Sequence, residues 1–112
     1  QTIQIKHRGF RDSGWRLMSD KITIARVERY LSLTAEARQK ATPTTSTEKE
    51  EKMLKDLLSM CDNYSSDARH FASQGDLVNA FGAINYAHAW IDAAVRLGLM
   101  SGHGDDSLFT LP

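Results

Sequence analysis

The chain has 112 residues, enough for one domain with a single modest core, so we expect one domain rather than several. Its 14 basic and 14 acidic residues balance, which excludes a general electrostatic attraction to nucleic acid or anionic lipid. The lone cysteine excludes an internal disulfide and favours a reducing compartment, and no apolar run reaches the roughly 18 residues of a membrane span, so we expect a soluble cytoplasmic protein.

Residues 1–18 form an arm that is more basic than the rest of the chain. Two glycines interrupt any helical pattern there, so we predict an irregular or strand-like lead-in. The arm interleaves basic side chains with Phe10 and Trp15, a composition suited to contacting phosphates and stacking on bases. A solvated arm, or one paired with an acidic face, is the other interpretation. The basic residues concerned are Lys6, Arg8, Arg11 and Arg16.

The first helix is predicted over about residues 20–41. Ser19 or Asp20 can cap its start. Its inward positions recur on one side at helical spacing: Ile24, Val27, Leu31 and Thr34. Pro43 ends the helix, and the hydroxyl-rich link over 42–47 predicts a turn.

The second helix, predicted over about residues 48–74, has the clearest start. Thr47 followed three residues later by Glu50 is a capping box. Gly75 suits the left-handed position that ends a helix. The apolar seam in between is spaced by threes and fours: Met53, Leu54, Leu57, Leu58, Met60, Cys61, Tyr64, Ala68 and Phe71.

The third helix is predicted over about residues 77–97, with Asp76 as its cap and Gly98 as its stop. Short links make consecutive helices fold back on one another, so the pattern predicts an all-α, up-down-up three-helix bundle over 19–100. Residues 101–112 follow as a tail, which we expect to be flexible unless its apolar side chains dock in a groove. Those side chains are Leu108, Phe109 and Leu111.

A polar strip interrupts the apolar third helix. Its members fall within roughly 80° of one another at 100° per residue: Asn85, His88, Asp92 and Arg96. The i,i+4 spacings predict that His88 meets Asp92 and that Asp92 meets Arg96. Such a strip is either a base-and-orienter pair, with His88 and Asp92 as candidate catalytic residues, or a buried network that satisfies its own hydrogen bonds and fixes helix register. No nucleophile lies nearby in sequence, which favours the structural role.

The rest of the third helix is apolar over more of its circumference than two neighbours can cover. Tyr86 and Trp90 are candidate interface aromatics, and three small residues would let another helix approach closely: Gly82, Ala89 and Ala93. One hypothesis is a homodimer that buries this side. The alternative is that the arm or the tail covers it.

Motifs for metal or phosphate binding are not apparent. The four histidines are scattered, and Cys61 has no partner at a ligand spacing, so we expect no metal and no cofactor. Neither of the common glycine-rich phosphate-binding signatures occurs. Cys61 falls within the apolar seam of the second helix and is interpreted as an inert core residue.

The run DLVNAFGAINYAHAWIDAAVRLGLM carries a family resemblance. Residues from about 20 to 100 resemble an archaeal family of small helical proteins known as domain of unknown function 357. Residues 85–93 match its most recognisable motif, although Ala89 stands where the family often has glycine. The resemblance implies a three-helix bundle of archaeal origin and implies no activity.

These patterns together favour a non-enzymatic module for protein interaction or self-association. One alternative is a nucleic-acid-binding accessory protein that uses the basic arm. A second is a hydrolase or nuclease-like enzyme that uses His88 and Asp92.

Overall fold

The computed structural model describes residues 20–111, and the basic arm therefore lies outside the described residues. Three helices, α1 (Ile24–Lys40), α2 (Glu48–Ser73) and α3 (Leu77–Arg96), run up, down and up. Two short strands, β1 (Thr42–Pro43) and β2 (Met100–Ser101), accompany them. The predicted all-α three-helix bundle is confirmed. No helix among the described residues is long and apolar enough to cross a lipid bilayer.

The start of α1 differs from the expectation. The helix begins at Ile24 rather than near residue 20, and the Thr23 side chain caps it by accepting the backbone N–H of Arg26. Ser19, one of the two predicted caps, lies outside the described residues. Two of the four predicted inward positions, Val27 and Thr34, are buried, whereas Ile24 is 47% exposed.

The start of α2 follows the capping signal. The Thr47 hydroxyl accepts the backbone N–H of Glu50 at 3.1 Å. The reciprocal bond falls one residue earlier than in a standard capping box, because the Glu50 carboxylate accepts the N–H of Ser46 at 2.8 Å. The bond from the Ser46 N–H makes the largest contribution to lowering the pKa of Glu50.

Both predicted glycine stops are present. Gly75 (φ +76°) and Gly98 (φ +79°) adopt the left-handed conformation that ends α2 and α3. After Gly98, the N–H of Leu99 returns to the carbonyl of Ala94 at 3.0 Å, which closes the helix end. Asp76 caps α3 by accepting the backbone N–H of Asn79. The turn between α2 and α3 is therefore short, and the two helices form an antiparallel hairpin.

Helix α3 is the central element. It packs most extensively against α2 and less against α1, while α1 and α2 meet least. The buried positions of α2 recur every seven residues at Leu54, Cys61 and Ala68. The α3 side of this core consists mostly of small and β-branched residues: Ala80, Ile84, Ala87, Ile91, Ala94 and Val95.

The C-terminal tail is docked, which corrects the expectation of a flexible segment. Leu108 is 5% exposed and Phe109 is fully buried, so the groove alternative is the one observed. Strands β1 and β2 pair antiparallel, with Thr42 opposite Ser101. This pairing joins the first residue of the tail to the link between α1 and α2. The tail then enters the core with Ala37, Leu54 and other buried residues.

Candidate functional site

The polar strip of α3 holds the tail rather than closing on itself. Asp92 accepts the backbone N–H of Thr110 at 2.6 Å, and Arg96 donates to the carbonyl of Leu111 at 2.8 Å. Among the described residues, Asp92 pairs with neither His88 nor Arg96, so the predicted i,i+4 pairs are not formed. Partly buried polar side chains form hydrogen bonds with the groups that lie nearest to them. Here those groups are backbone N–H and C=O groups of the docked tail.

His88 lies at the buried end of the strip and is 2% exposed. Its Nε2 lies 2.7 Å from the carbonyl oxygen of Leu108, and its Nδ1 lies 2.9 Å from the hydroxyl of Thr34. A carbonyl oxygen only accepts, so Nε2 carries a hydrogen, and in the neutral imidazole Nδ1 accepts from the Thr34 hydroxyl. The imidazole thus links α1, α3 and the tail, and both of its nitrogens are occupied.

The remaining member of the strip is turned back to its own helix. The Asn85 amide donates to the carbonyl of Phe81 at 2.9 Å. The strip therefore does not present an imidazole and a carboxylate together to a common point where a substrate would react, which general acid-base catalysis requires.

Sequence reasoning missed the partners of the strip. Helical spacing predicts that Thr34 faces inward from α1, but it does not predict the contact with His88, which lies 54 residues away in the chain. The remaining partners are backbone groups of the tail, which no pattern in the sequence marks. The one signal in the sequence is Thr34 itself, because a hydroxyl among apolar inward positions of α1 indicates a buried hydrogen-bond partner.

The side of α3 that faces away from the core is largely exposed, and we call its apolar stripe the outer face. It consists of Val78, Gly82, Tyr86, Ala89, Ala93 and Leu97, and the exposed polar residues Asn79 and Arg96 flank it. The side chains of Val78 and Leu97 are 70% and 65% exposed, and Tyr86 is 46% exposed. Helix α3 is thus apolar on the side that faces the core and also on the side that faces solvent.

The aromatic residues near the outer face form a chain of edge-to-face contacts. The ring of Tyr86 lies 4.5 Å from that of Tyr64 on α2 and 5.7 Å from that of Trp90. Trp90 itself is partly buried and packs against the core, and its indole N–H finds no acceptor among residues 20–111. Of the two aromatics predicted at an interface, Tyr86 is therefore the accessible one.

Gly82 lies within the outer face, and no contact within the described chain requires glycine there. A Cβ built there meets no atom within 4 Å, and its backbone is ordinary helix. Glycine in a helix interior costs roughly 0.5–1 kcal/mol relative to alanine. Nothing in the described part of this chain offsets that cost.

A cleft of about 420 Å³ separates the outer sides of α1 and α2. The guanidinium of Arg38 spans it in a two-bond pair with Asp62, at 2.8 and 3.1 Å, and this pairing raises the pKa of Arg38. Both side chains are substantially exposed, so the pair contributes little to stability.

Two further sequence hypotheses concern cysteine and metal. Cys61 is 1% exposed, and burial raises the pKa of its thiol, which disfavours the reactive thiolate. Within residues 20–111, no three His, Cys, Asp or Glu side chains are grouped so as to hold a metal ion. The arm residues proposed for nucleic acid, Lys6, Arg8, Arg11 and Arg16, lie outside the described residues.

Comparison with known proteins gives one match. A model of the family described as "Protein of unknown function (DUF357)" matches residues 29–100, well over half of the chain. No curated protein and no solved structure matches. The matched region covers most of α1, both other helices and the start of β2 and leaves out the tail.

Proposed function

The chain belongs to the DUF357 family, whose function is unknown, and from that premise we propose a non-catalytic helical module that self-associates through the outer face of α3. The observation that carries the proposal is the exposure of three large apolar side chains, Val78, Tyr86 and Leu97, along one face of α3. Burying such a surface against a partner releases roughly 25 cal/mol per Å² of apolar area.

The glycine at position 82 supports the same proposal. No internal contact requires glycine at this position, and a glycine in a helix lets a partner approach the backbone closely. The flanking small residues, Ala89 and Ala93, extend that flat region along the helix. A second copy of the chain supplies a helix with the same small residues.

The polar strip supports a non-catalytic role. The imidazole of His88 is buried and its two nitrogens bind Thr34 and Leu108, while Asp92 is occupied by the tail. Residues placed in this way hold the tail to the bundle.

The test is the oligomeric state of the purified chain, measured by sedimentation equilibrium up to roughly 100 µM, where weak dimers are populated. We expect a concentration-dependent dimer. Val78→Glu should abolish it without unfolding the chain, because a carboxylate in the first turn of α3 favours the helix dipole.

Ile24→Glu is the matched control. Ile24 is also exposed, at 47%, and also lies in the first turn of a helix, but it is on α1 and is not part of the outer face. This variant should dimerise like the unmodified chain. A chain that stays monomeric throughout the concentration range disproves the proposal.

A further inference from the structure

The geometry points to a peptide-binding groove that the chain's own tail fills. This groove, here called the tail groove, runs along α3 past His88, Asp92 and Arg96. Its occupant from outside the chain is a segment of a partner protein with the chemistry of the tail. The tail then acts as a strap that covers the groove until a partner displaces it. This site is separate from the outer face and does not depend on self-association.

The polar strip binds the main chain of the tail. The strip residues are His88, Asp92 and Arg96, and the main-chain groups that they bind belong to Leu108, Thr110 and Leu111. Any peptide carries such carbonyl and N–H groups, except at proline. Bonds to the main chain give affinity for an extended peptide, and side-chain pockets then select its sequence.

The tail follows α3 for two helical turns. His88 and Arg96 lie eight residues apart, which is about 12 Å along the helix. Their partners, Leu108 and Leu111, are three residues apart, a distance that open chain covers in about 10 Å. The order of these contacts shows that the tail runs in the same direction as α3. The groove therefore takes a short non-helical segment in one direction.

The side chains of the tail define the sequence that the groove selects. Leu108 is 5% exposed and Phe109 is fully buried. Leu111 is partly buried and packs against the same core cluster. Thr110, between them, is only partly buried. The matching partner segment is therefore Leu-Phe-x-Leu, where x is a residue of any type that keeps its backbone N–H.

Charge adds a preference at the start of the groove. Nζ of Lys40 binds the carboxylate of Asp105 at 2.8 Å, three residues before Leu108. The Lys40 side chain is 43% exposed, so salt screens this ion pair and its contribution is modest. The neighbouring residues 103, 104, 106 and 107 are exposed. A partner segment with an acidic residue three positions before its leucine can form the same ion pair.

The groove and the segment that fills it belong to different parts of the chain. The strip residues lie within residues 29–100, which match the family, whereas the tail lies beyond the match. The family model therefore describes the groove without the segment that fills it here. This division is expected where an added segment covers a binding surface.

A synthetic peptide tests the groove directly. Its sequence, DDSLFTLP, is that of residues 105–112, and a fluorescent label at its amino end reports binding by anisotropy. In the unmodified chain the attached tail competes at an effective concentration of about a millimolar. Phe109→Ala removes the anchor of the tail and leaves the groove, so this variant should bind the peptide at least about tenfold more tightly than the unmodified chain does. Circular dichroism first establishes that the variant is folded.

Matched controls separate groove binding from nonspecific adhesion. In the Phe109→Ala chain, Asp92→Ala should weaken binding about tenfold, because the threonine N–H of the peptide loses a charged acceptor. Asp67→Ala, at an exposed position on α2, should leave the affinity unchanged. A peptide N-methylated at its threonine should lose as much affinity as Asp92→Ala does. A peptide with alanine in place of phenylalanine should not bind.

The groove is disproved if the peptide does not bind folded Phe109→Ala at up to about 1 mM, or binds it no more tightly than the unmodified chain. If Phe109→Ala does not fold, Asp105→Asn takes its place, because it loosens the tail without changing the core. This variant must then bind the peptide more tightly than the unmodified chain does, and equal affinities overturn the inference.

Exchange of tails between copies is the competing outcome. The double variant Val78→Glu/Phe109→Ala has an open groove and a blocked outer face, and it is mixed with Val78→Glu, which keeps its tail. Sedimentation equilibrium should show monomers, because an attached tail stays in its own groove. A dimer in this mixture would assign the groove to the tail of a second copy and overturn the partner segment.

Discussion

Gly82 and Gly102 show that one residue type has opposite roles in two places. A Cβ at Gly82 meets no atom, whereas a Cβ at Gly102 would lie 2.7 Å from the buried ring of Phe109. The ring is fully buried and has no room to move away. Glycine is thus required at position 102 for the tail to dock, while at position 82 the single chain would tolerate a side chain.

The same substitution at the two glycines should therefore change stability in opposite directions. Gly102→Ala should lower the free energy of unfolding by about 1–3 kcal/mol through overpacking. Gly82→Ala should raise it by about 0.5–1 kcal/mol through helix propensity. Urea denaturation at low protein concentration measures both. A neutral Gly102→Ala would contradict the described position of Phe109.

Thr34 should matter through its hydroxyl rather than its bulk. Thr34→Val keeps the shape but leaves Nδ1 of buried His88 without a donor, at a cost of about 1–3 kcal/mol in unfolding free energy. Thr45→Val, a similar change in a partly exposed link residue, should stay within about 0.5 kcal/mol. Chemical denaturation of the two variants compares them, and equal effects would argue against the Thr34–His88 bond.

The residues of the polar strip were predictable, and most of their partners were not. Helical periodicity places His88, Asp92 and Arg96 along one side of α3, because that requires only the geometry of the helix. Which groups they bind depends on a segment up to 20 residues away in sequence that folds back beside them. Periodicity within one helix contains no information about such a return.

At the scale of elements, the helix ends were predictable where a specific cap or stop exists. Thr47, Gly75 and Asp76 mark their boundaries because each satisfies backbone groups that the helix leaves open. The start of α1 was misplaced because Ser19, Asp20 and Thr23 are all capable caps, and local sequence does not rank them.

The cap of α2 gives a direct test. Thr47→Ala should lower the unfolding free energy by about 1 kcal/mol, because the N–H of Glu50 loses its acceptor. Thr45→Ala, two residues earlier and outside the helix, is the control. Thermal denaturation followed by circular dichroism should show a lower midpoint for the first variant alone.

The Asp105 carboxylate, in the turn near the start of the tail, binds the last residue of α1. Asp105 accepts from Lys40 at 2.8 Å and also from Ser107, and these bonds lower its pKa from 3.8 to about 2. A pKa that is lower in the folded chain stabilises the fold above the unfolded pKa. This contribution is therefore present at neutral pH and is lost as the pH falls from about 4 toward 2.

Asp105→Asn isolates that contribution. The variant should be less stable than the unmodified chain at pH 7, and the difference should shrink as the pH falls through the window from about 4 to 2. Urea midpoints measured at several pH values report this. A difference that stays constant down to pH 2 would show that the carboxylate charge has no role.

At the scale of the whole molecule, three helices do not complete the core. Phe109 lies in the tail, beyond the matched family region, yet it is fully buried among residues of all three helices and β2. The number and direction of the helices follow from periodicity and caps, so the bundle was predictable. The docking of the tail was not, because three apolar residues in a glycine-rich segment are compatible with either outcome.

Phe109→Ala should consequently be the most damaging of these substitutions. It leaves a large cavity between the helices, at a cost of about 3–5 kcal/mol. Ile24→Ala removes an apolar side chain that is 47% exposed and should cost far less. Guanidinium denaturation compares the two. Similar unfolding midpoints would mean that the tail does not contribute to the core in solution.

The short α2–α3 turn also sets an expected order of folding. Contacts between these helices close small loops, whereas the bond from Lys40 to Asp105 joins residues 65 apart. Loop closure costs more entropy as the loop lengthens, so the hairpin should form first, α1 should be added next and the tail should lock last. Amide hydrogens of the tail should then exchange with solvent through small openings that leave the α2–α3 hairpin intact.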